Sequence, residues 1–391
     1  RQVQAIGVSF DWSREVNTTD PLYYKWTQWI FLKFFEHGLA YKTTMPINWC
    51  PKCKIGLANE EVVSGMCERC GALVSQREKA QWMLRITAYA DKLLEGLEEL
   101  DFLPRIKIQQ TDWIGKSEGV ELEFEIADSR SRITVFTTRP DTLYGVTYVV
   151  LAPEHSLVDS LKNQIQNWDD VVAYREKTKS KNELERTQLE KEKTGVELQG
   201  VVAINPANGE SVPVWISDYV VLTYGSGAVM AVPAHDERDF EFAKKFGLNI
   251  RTVVEPLSEG DAFEFMYPKL PYRVDVASSN IDAIRKGIRC YMGLGKLINS
   301  GEFDGMNSEE AKWKITEKVG GKKTTKYRLR DWVFSRQRYW GEPIPLVYCT
   351  SCADGKPQSK GETENPGWIP MDETSLPITL PETSNFAPRD D

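Results

Sequence analysis

The sequence predicts an α/β protein in which a β-rich central domain is flanked by helical segments and preceded by a small cysteine ribbon. Three observations predict it. The stretch "VELEFEI", residues 120–126, alternates apolar and polar residues with the period of a half-buried strand. Asp20-Pro21 opens and Gly38 closes an apolar-rich helical stretch. Two C-x-x-C pairs, Cys50/Cys53 and Cys67/Cys70, follow that helix closely.

With 391 residues, 41% apolar and 27% charged, the chain has material for two or three packed cores and is not a disordered protein. Its longest apolar runs, such as residues 148–152, fall far short of the roughly 20 needed to cross a bilayer, so no membrane partner is expected. A cytoplasmic location follows. The net charge of −8 argues against a protein that coats nucleic acid through its whole surface field, but leaves room for a local basic path over residues 322–338. The lysines there read equally well as a solvated loop; Arg336 and Arg338, set among aromatics, are less easily dismissed.

In chain order, residues 1–47 hold the capped helix, whose expected inward face is Leu22, Trp26, Trp29, Ile30 and Phe34. Residues 48–78 are the ribbon. Two such knuckles bring four thiolates to the corners of a tetrahedron, the geometry zinc takes in closed structural sites. Cys50, Cys53, Cys67 and Cys70 are therefore the expected ligands of one zinc ion, for folding and not for catalysis. Residues 79–116 are expected to return to helix and connect onward. Residues 117–320 form the β-rich domain, with a charged helical stretch over 172–193 and an exposed loop over 252–285. Cys290 stands alone and is expected to be buried. Residues 321–391 carry a lone C-x-x-C, Cys349 and Cys352, and a proline-rich tail without helix signal.

Two motifs carry chemistry. In "ITVFTTRPDTLYG", residues 133–145, a β-branched strand ends in Thr137 and Thr138, and Arg139-Pro140-Asp141-Thr142 forms a turn. Hydroxyls and a guanidinium at a strand end suit a ribose and its phosphate. A capped turn, in which Asp141 and the threonines satisfy backbone amides, accounts for the same residues equally well. In "YGSGAVMAVPAHDERDFEFAKKFG", residues 224–247, the run from Gly225 to Ala228 reads as a strand with little side-chain bulk, open to a ligand. A helix then starts near Asp236, turns Phe240, Ala243 and Phe246 inward, and stops at Gly247. Asp236 and Asp239 are one turn apart at its start, where acidic residues either serve a site or simply complement the helix dipole.

Taken in this order, "TTRPDT", "YGSGAVMAVPAHDERD", "LINSGEFDGM", "YRLRDW" and "SRQRYWGEPIP" resemble the bacterial leucyl-tRNA synthetases, of class I. "GVSFDWSRE" and "WTQWIFLKFFEHGLAY" resemble the same family, so the likeness covers nearly the whole chain. "SRQRYWG" alone is shared with isoleucyl and valyl synthetases; the continuous order points to leucine. The resemblance implies a barrel-like editing domain with surrounding helices, inserted between pieces of a Rossmann-type catalytic domain, plus the zinc ribbon. It also leaves Cys349 and Cys352 as candidates to replace Cys67 and Cys70, since related synthetases pair cysteines across an inserted domain. The H-x-G-H turn and K-M-S-K-S loop of class I are absent. The chain therefore reads as an internal piece unable to activate leucine, with ATP and magnesium belonging only to the full-length parent.

The resemblance further implies hydrolytic editing of mischarged tRNA(Leu). An apolar pocket separates leucine from isoleucine, norvaline or methionine by only about 1–3 kcal/mol, so a second sieve is needed. Carried over residue by residue, Asp239 would hold the substrate ammonium and Thr142 would exclude leucine. Thr137, Thr138 and Arg139 would contact the terminal adenosine beside Asp141, while Tyr224, Met230, Val232, His235 and Asp236 would line the pocket. No serine or cysteine paired with a histidine base is evident, so a bound water is the expected attacker. A monomer is expected. The rival reading is a noncatalytic tRNA-binding or zinc-ribbon module.

Overall fold

The computed structural model describes residues 2–58, 61–63, 65–179, 186, 192–222, 226–258, 280–335, 342–353 and 355–385. The fold is mixed α/β in two compact units, Arg1–Leu103 with Leu329–Asp391, and Pro104–Arg328. Among the described residues no helix is long and apolar enough to cross a membrane.

In the first unit, helix α1 (Pro21–Glu36) starts where the sequence says it should. Asp20 accepts a hydrogen bond from the Leu22 amide at 2.8 Å, proline occupies the first turn, and Gly38 leaves the helix with φ +70°. The buried face differs from the expected one. Tyr24, Gln28, Phe31, Leu32 and Phe35 are buried, whereas Leu22, Trp26 and Ile30 are 70%, 58% and 46% exposed. Apolar residues ring most of this helix, so its own pattern leaves the choice to its partners. Phe31 and Phe35 meet Trp82 edge-on at 5.8 and 5.9 Å, and Phe31 stacks on Phe334 at 5.1 Å.

Strand β1 (Ala40–Cys50) pairs antiparallel with β2 (Ser75–Leu84), in register from Ala40↔Leu84 to Trp49↔Ser75. Residues 79–84, expected as helix, are thus strand. Their ladder partner lies some forty residues upstream, which no local window detects. Short helices Ala90–Glu99 and Pro104–Ile114 follow. The tail, expected without helix, contains one short α-helical turn, Lys360–Glu364, and a 3-10 turn, Glu373–Ser375.

The second unit is built on seven strands: β3 (Lys116–Ile126), β4 (Arg132–Thr137), β5 (Tyr148–Leu151), β6 (Gly195–Ile204), β7 (Ser211–Ser217), β8 (Ala228–Ala231) and, after helix α2 (Glu237–Phe246), β9 (Lys322–Tyr327). Their order is β8-β5-β7-β6-β3-β9, with β4 paired to β3. All pairs are antiparallel except β5 with β7. Among the described residues the expected barrel closure is not made. The strands that carry the two motifs, β4 and β8, lie side by side with Cα atoms within 8 Å, but do not share a hydrogen-bonded ladder.

Alternation along β3 buries Val120, Leu122, Phe124 and Ile126 on one face, which joins the main core with Ile133, Val135, Val149 and Leu151. On the other side of β5, Tyr148 and Val150 join a smaller cluster around Phe242 of α2. Phe242, not the expected Phe240, is the anchor of that helix. It is fully buried, with Tyr148 stacked on it at 5.4 Å and Trp215 edge-on at 5.4 Å. Both phenylalanines fit the helical period, and the partners select between them.

The stretch expected as an exposed loop is instead buried over 252–256, where Val254–Glu255 pairs with Lys296–Leu297. Residues 259–279 lie outside the described residues. The charged helix is Trp168–Lys179, and most of 180–191 is likewise outside. In the basic stretch, Lys326 is ion-paired to Glu121 at 2.8 Å and Lys323 lies 4.2 Å from the Trp313 ring centroid. Arg336 and Arg338 fall outside the described residues.

Candidate functional site

The first motif folds as its residue types dictate. Pro140 ends β4 and opens a buried 3-10 turn, Pro140–Gly145. Polar groups inside it are used by the turn itself. Thr137 Oγ1 accepts from the Arg139 amide at 3.0 Å, and Thr142, fully buried, donates its hydroxyl to the Arg139 carbonyl at 2.7 Å. The Arg139 guanidinium clasps Asp141 through Nε at 3.0 Å and Nη2 at 2.7 Å, a bidentate pair whose carboxylate is almost wholly enclosed. Thr138 is exposed. The capped turn is therefore real, and it leaves Thr138 and the outer edge of Arg139 turned toward solvent.

In the second motif, the two aspartates do different things. Asp236 is the N-cap of α2, its Oδ1 accepting from the Arg238 and Asp239 amides at 2.9 and 3.2 Å. Asp239 turns inward and is 5% exposed. Its Oδ2 accepts from the Val232 amide at 2.9 Å and its Oδ1 from the Tyr219 hydroxyl at 3.0 Å. Burial, with the negative charge of Asp236 nearby, pushes the Asp239 carboxyl up to about 7. A dipole role does not call for a buried carboxyl; that reading suffices for Asp236 alone.

Met230 and Val232 are buried beside this turn. Tyr224 and Gly225 lie outside the described residues. Ser226 and Gly227 precede β8 and are not part of it. Gly227 has φ +71°, and a Cβ there would come within 2.5 Å of Leu222 and 3.1 Å of His155. The glycine thus answers to the chain's own packing.

A segment that neither motif contains brings the two together. His235 of the second motif is buried, with Nδ1 2.8 Å from the Tyr291 carbonyl and Nε2 taking the Val253 and Val254 amides at 3.0 and 3.1 Å. Amides only donate and the carbonyl only accepts, so the proton sits on Nδ1 and the ring is neutral. Burial holds its pKa down at about 4. Arg139 of the first motif donates to the next two carbonyls, Met292 at 2.8 Å and Gly293 at 3.4 Å. The Tyr291 amide returns a bond to the Ala234 carbonyl at 2.8 Å. Three consecutive carbonyls at 291–293 are thereby shared between the motifs. Cys290, expected buried, is half-buried at the start of this segment.

Sequence reasoning missed residues 291–293 and Tyr219. No local signal marks them: a backbone carbonyl has no residue type, and Tyr219 stands twenty residues from the carboxylate it meets.

In the first unit, the ribbon cysteines come together. The sulfurs of Cys50, Cys53, Cys67 and Cys70 all lie within 4.8 Å of one another, Cys50 and Cys67 being buried. A tetrahedral metal with metal–sulfur bonds of about 2.3 Å needs sulfurs about 3.8 Å apart, so the four fit one ion. Cys349 and Cys352 do not replace the second knuckle; they are joined to each other in a disulfide, with Cα atoms 5.3 Å apart.

Known proteins resemble this arrangement throughout. A family model of tRNA synthetases of class I (I, L, M and V) matches residues 1–117, which sets the class. A second, described as leucyl-tRNA synthetase, editing domain, matches residues 111–320. The chain belongs to the leucyl-tRNA synthetase family. It is 53% identical over its whole length to a leucine--tRNA ligase of Alkaliphilus oremlandii and 49% identical, again over its whole length, to one of Treponema pallidum. The chain spans 44% and 42% of those relatives. Among solved structures it is similar, with a TM-score of 0.64 and 33% identity, to a LeuRS of Agrobacterium radiobacter in a ternary complex with tRNA and LeuAMS. That likeness covers 98% of this chain and 41% of the other.

Proposed function

We propose that this chain hydrolyses the ester of wrongly charged tRNA(Leu), the correcting step of a parent enzyme that uses ATP and magnesium to attach leucine. The observation that carries this reading is Asp239: a buried carboxyl, poised near neutrality, in a turn tied to the "TTRPDT" motif through residues 291–293. An incoming α-ammonium would draw Asp239 into its charged form and so hold the ester in one orientation. Thr142 would set the wall that turns leucine away, while isoleucine, norvaline and methionine enter. Thr137, Thr138 and Arg139 would receive the terminal adenosine, with Asp141 behind them holding the Arg139 guanidinium, and Tyr224, Met230, Val232, His235 and Asp236 would complete the pocket.

With both nitrogens of His235 engaged and its ring neutral, the histidine serves as a brace and not as the base. Water attacks the ester carbonyl, the bond to the ribose oxygen breaks, and that oxygen takes the proton, giving free amino acid and uncharged tRNA. The four ribbon cysteines would hold zinc, which as a closed site supplies folding energy and no chemistry.

The test is release of isoleucine and norvaline from mischarged tRNA(Leu) by the chain and by Asp239→Asn, beside an ATP–pyrophosphate exchange assay expected to read zero. Loss of a charge-assisted bond to the ammonium should cost about 1.5–3 kcal/mol, or roughly 10- to 150-fold in rate. Binding of mischarged tRNA without hydrolysis would instead select the noncatalytic tRNA-binding and zinc-ribbon module.

A further inference from the structure

Tyr219 meets the site from outside both motifs. It follows β7 in a turn whose neighbouring residues are fixed. Arg186 donates from Nε to the Asp218 carbonyl and from Nη2 to the Val220 carbonyl, each at 2.9 Å, while the Asp218 amide donates to the Tyr174 hydroxyl at 3.0 Å. The Tyr219 ring packs on Phe242 at 5.7 Å between centroids. A side chain clamped on both flanks holds its hydroxyl in one place, and that place is 3.0 Å from Asp239 Oδ1.

We propose that Tyr219 is a positioning residue for ester hydrolysis: its hydroxyl aims the Asp239 carboxylate so that a free lone pair on each oxygen faces the substrate ammonium. The proposal rests on the reading of Asp239 given above. Each carboxylate oxygen has two lone pairs; the Val232 amide takes one on Oδ2 and Tyr219 one on Oδ1. Both donors favour the charged form, against burial and the charge of Asp236. The other groups facing Asp239 are Arg238 on its own helix, the Tyr148 hydroxyl of β5, which donates to the Asp239 carbonyl at 3.0 Å, and the Cys290 thiol. Tyr219 is held well above the usual phenol range, chiefly by burial, so it stays a donor at any working pH.

Tyr219→Phe keeps the ring on Phe242 and removes only the hydroxyl. The carboxyl of Asp239 is followed by carbon-13 shift in the full chain, and hydrolysis of isoleucyl-tRNA(Leu) is measured against pH. Tyr219→Phe should raise the Asp239 titration by about one unit and carry the acid limb of hydrolysis with it, a loss of about tenfold below neutrality that vanishes at high pH. Tyr148→Phe, which removes the hydroxyl that bonds the Asp239 carbonyl and neighbours that of Tyr219, should lower stability and move that titration less than Tyr219→Phe does. If Tyr219→Phe fails to fold, a difluorotyrosine at position 219 gives the same reading in reverse, since a more acidic phenol must lower the Asp239 titration. An unmoved titration in either variant overturns the proposal. A moved titration with undiminished hydrolysis by Asp239→Asn leaves Tyr219 as the group that positions Asp239 and sinks the ester-hydrolysis reading of that carboxylate.

Discussion

His235 makes a contribution to the stability of the second unit that acid should remove. His235 accepts two amides on Nε2 and donates to a carbonyl from Nδ1, so a second proton on the ring would face the Val253 and Val254 N–H groups with no acceptor. Burial therefore lowers its pKa from 6.5 in the unfolded chain to about 4. Between those values the unfolded chain binds the proton and the folded chain does not. Stability contributed by His235 is complete above 6.5 and falls as pH drops toward 4, with no further loss below. At about 1.4 kcal/mol per unit, the total is ~3 kcal/mol. Asp239 works in the opposite direction. Its carboxyl, at 3.8 unfolded and about 7 folded, contributes stability that is complete at low pH and is lost as pH rises through that window. The two nearly cancel, so the wild-type profile alone decides nothing. The measurement is urea unfolding against pH for wild type and for His235→Gln, whose amide presents both a donor and an acceptor but does not titrate. The wild-type advantage should shrink by ~3 kcal/mol from pH 6.5 to 4. A difference that stays flat across this window would refute the buried, neutral imidazole.

Thr142→Ala should extend hydrolysis to leucyl-tRNA(Leu) while isoleucyl-tRNA(Leu) is still cleaved; if leucine is spared, Thr142 serves only the turn in which its hydroxyl meets the Arg139 carbonyl. Phe242→Ala, which empties a fully buried site between Tyr148 and Trp215, should cost about 3–5 kcal/mol in urea unfolding. A cost under about 1 kcal/mol would mean that α2 is not anchored there. Metal analysis should find about one zinc per chain, lost in Cys67→Ser and retained in Cys349→Ser; zinc that leaves with Cys349→Ser would restore the bridged pairing.

The sequence was informative wherever the physics is local. The cap at Asp20, the alternation of β3 and the stop at Gly247 all follow from residues a few positions apart, and the convergence of the ribbon cysteines from the metal-ligand spacing within each C-x-x-C pair. Misreadings arose where a distant partner makes the choice. Helix α1 carries apolar groups nearly all around, and Trp82 and Phe334 decide that Phe31 and Phe35 go inside. Residues 79–84 are strand because β1 offers a ladder. The same holds for the site: the motif residues are visible in one dimension, but the carbonyls at 291–293 and the hydroxyl of Tyr219 acquire meaning only once the chain has folded.

The tie at residues 291–293 also sets a timetable for synthesis. Arg139 and the Met292 carbonyl it bonds are 153 residues apart. At about 5–20 residues per second, a ribosome needs roughly 8–30 s to make that length of chain. During that interval the Arg139–Asp141 pair exists without the carbonyls that will restrain it, and His235 waits in the same way over the 56 residues that separate it from Tyr291. A nascent chain paused before residue 291 should hence present an open, protease-sensitive turn at 139–142, and the candidate site should appear as a late event of translation, well after the strands that carry it.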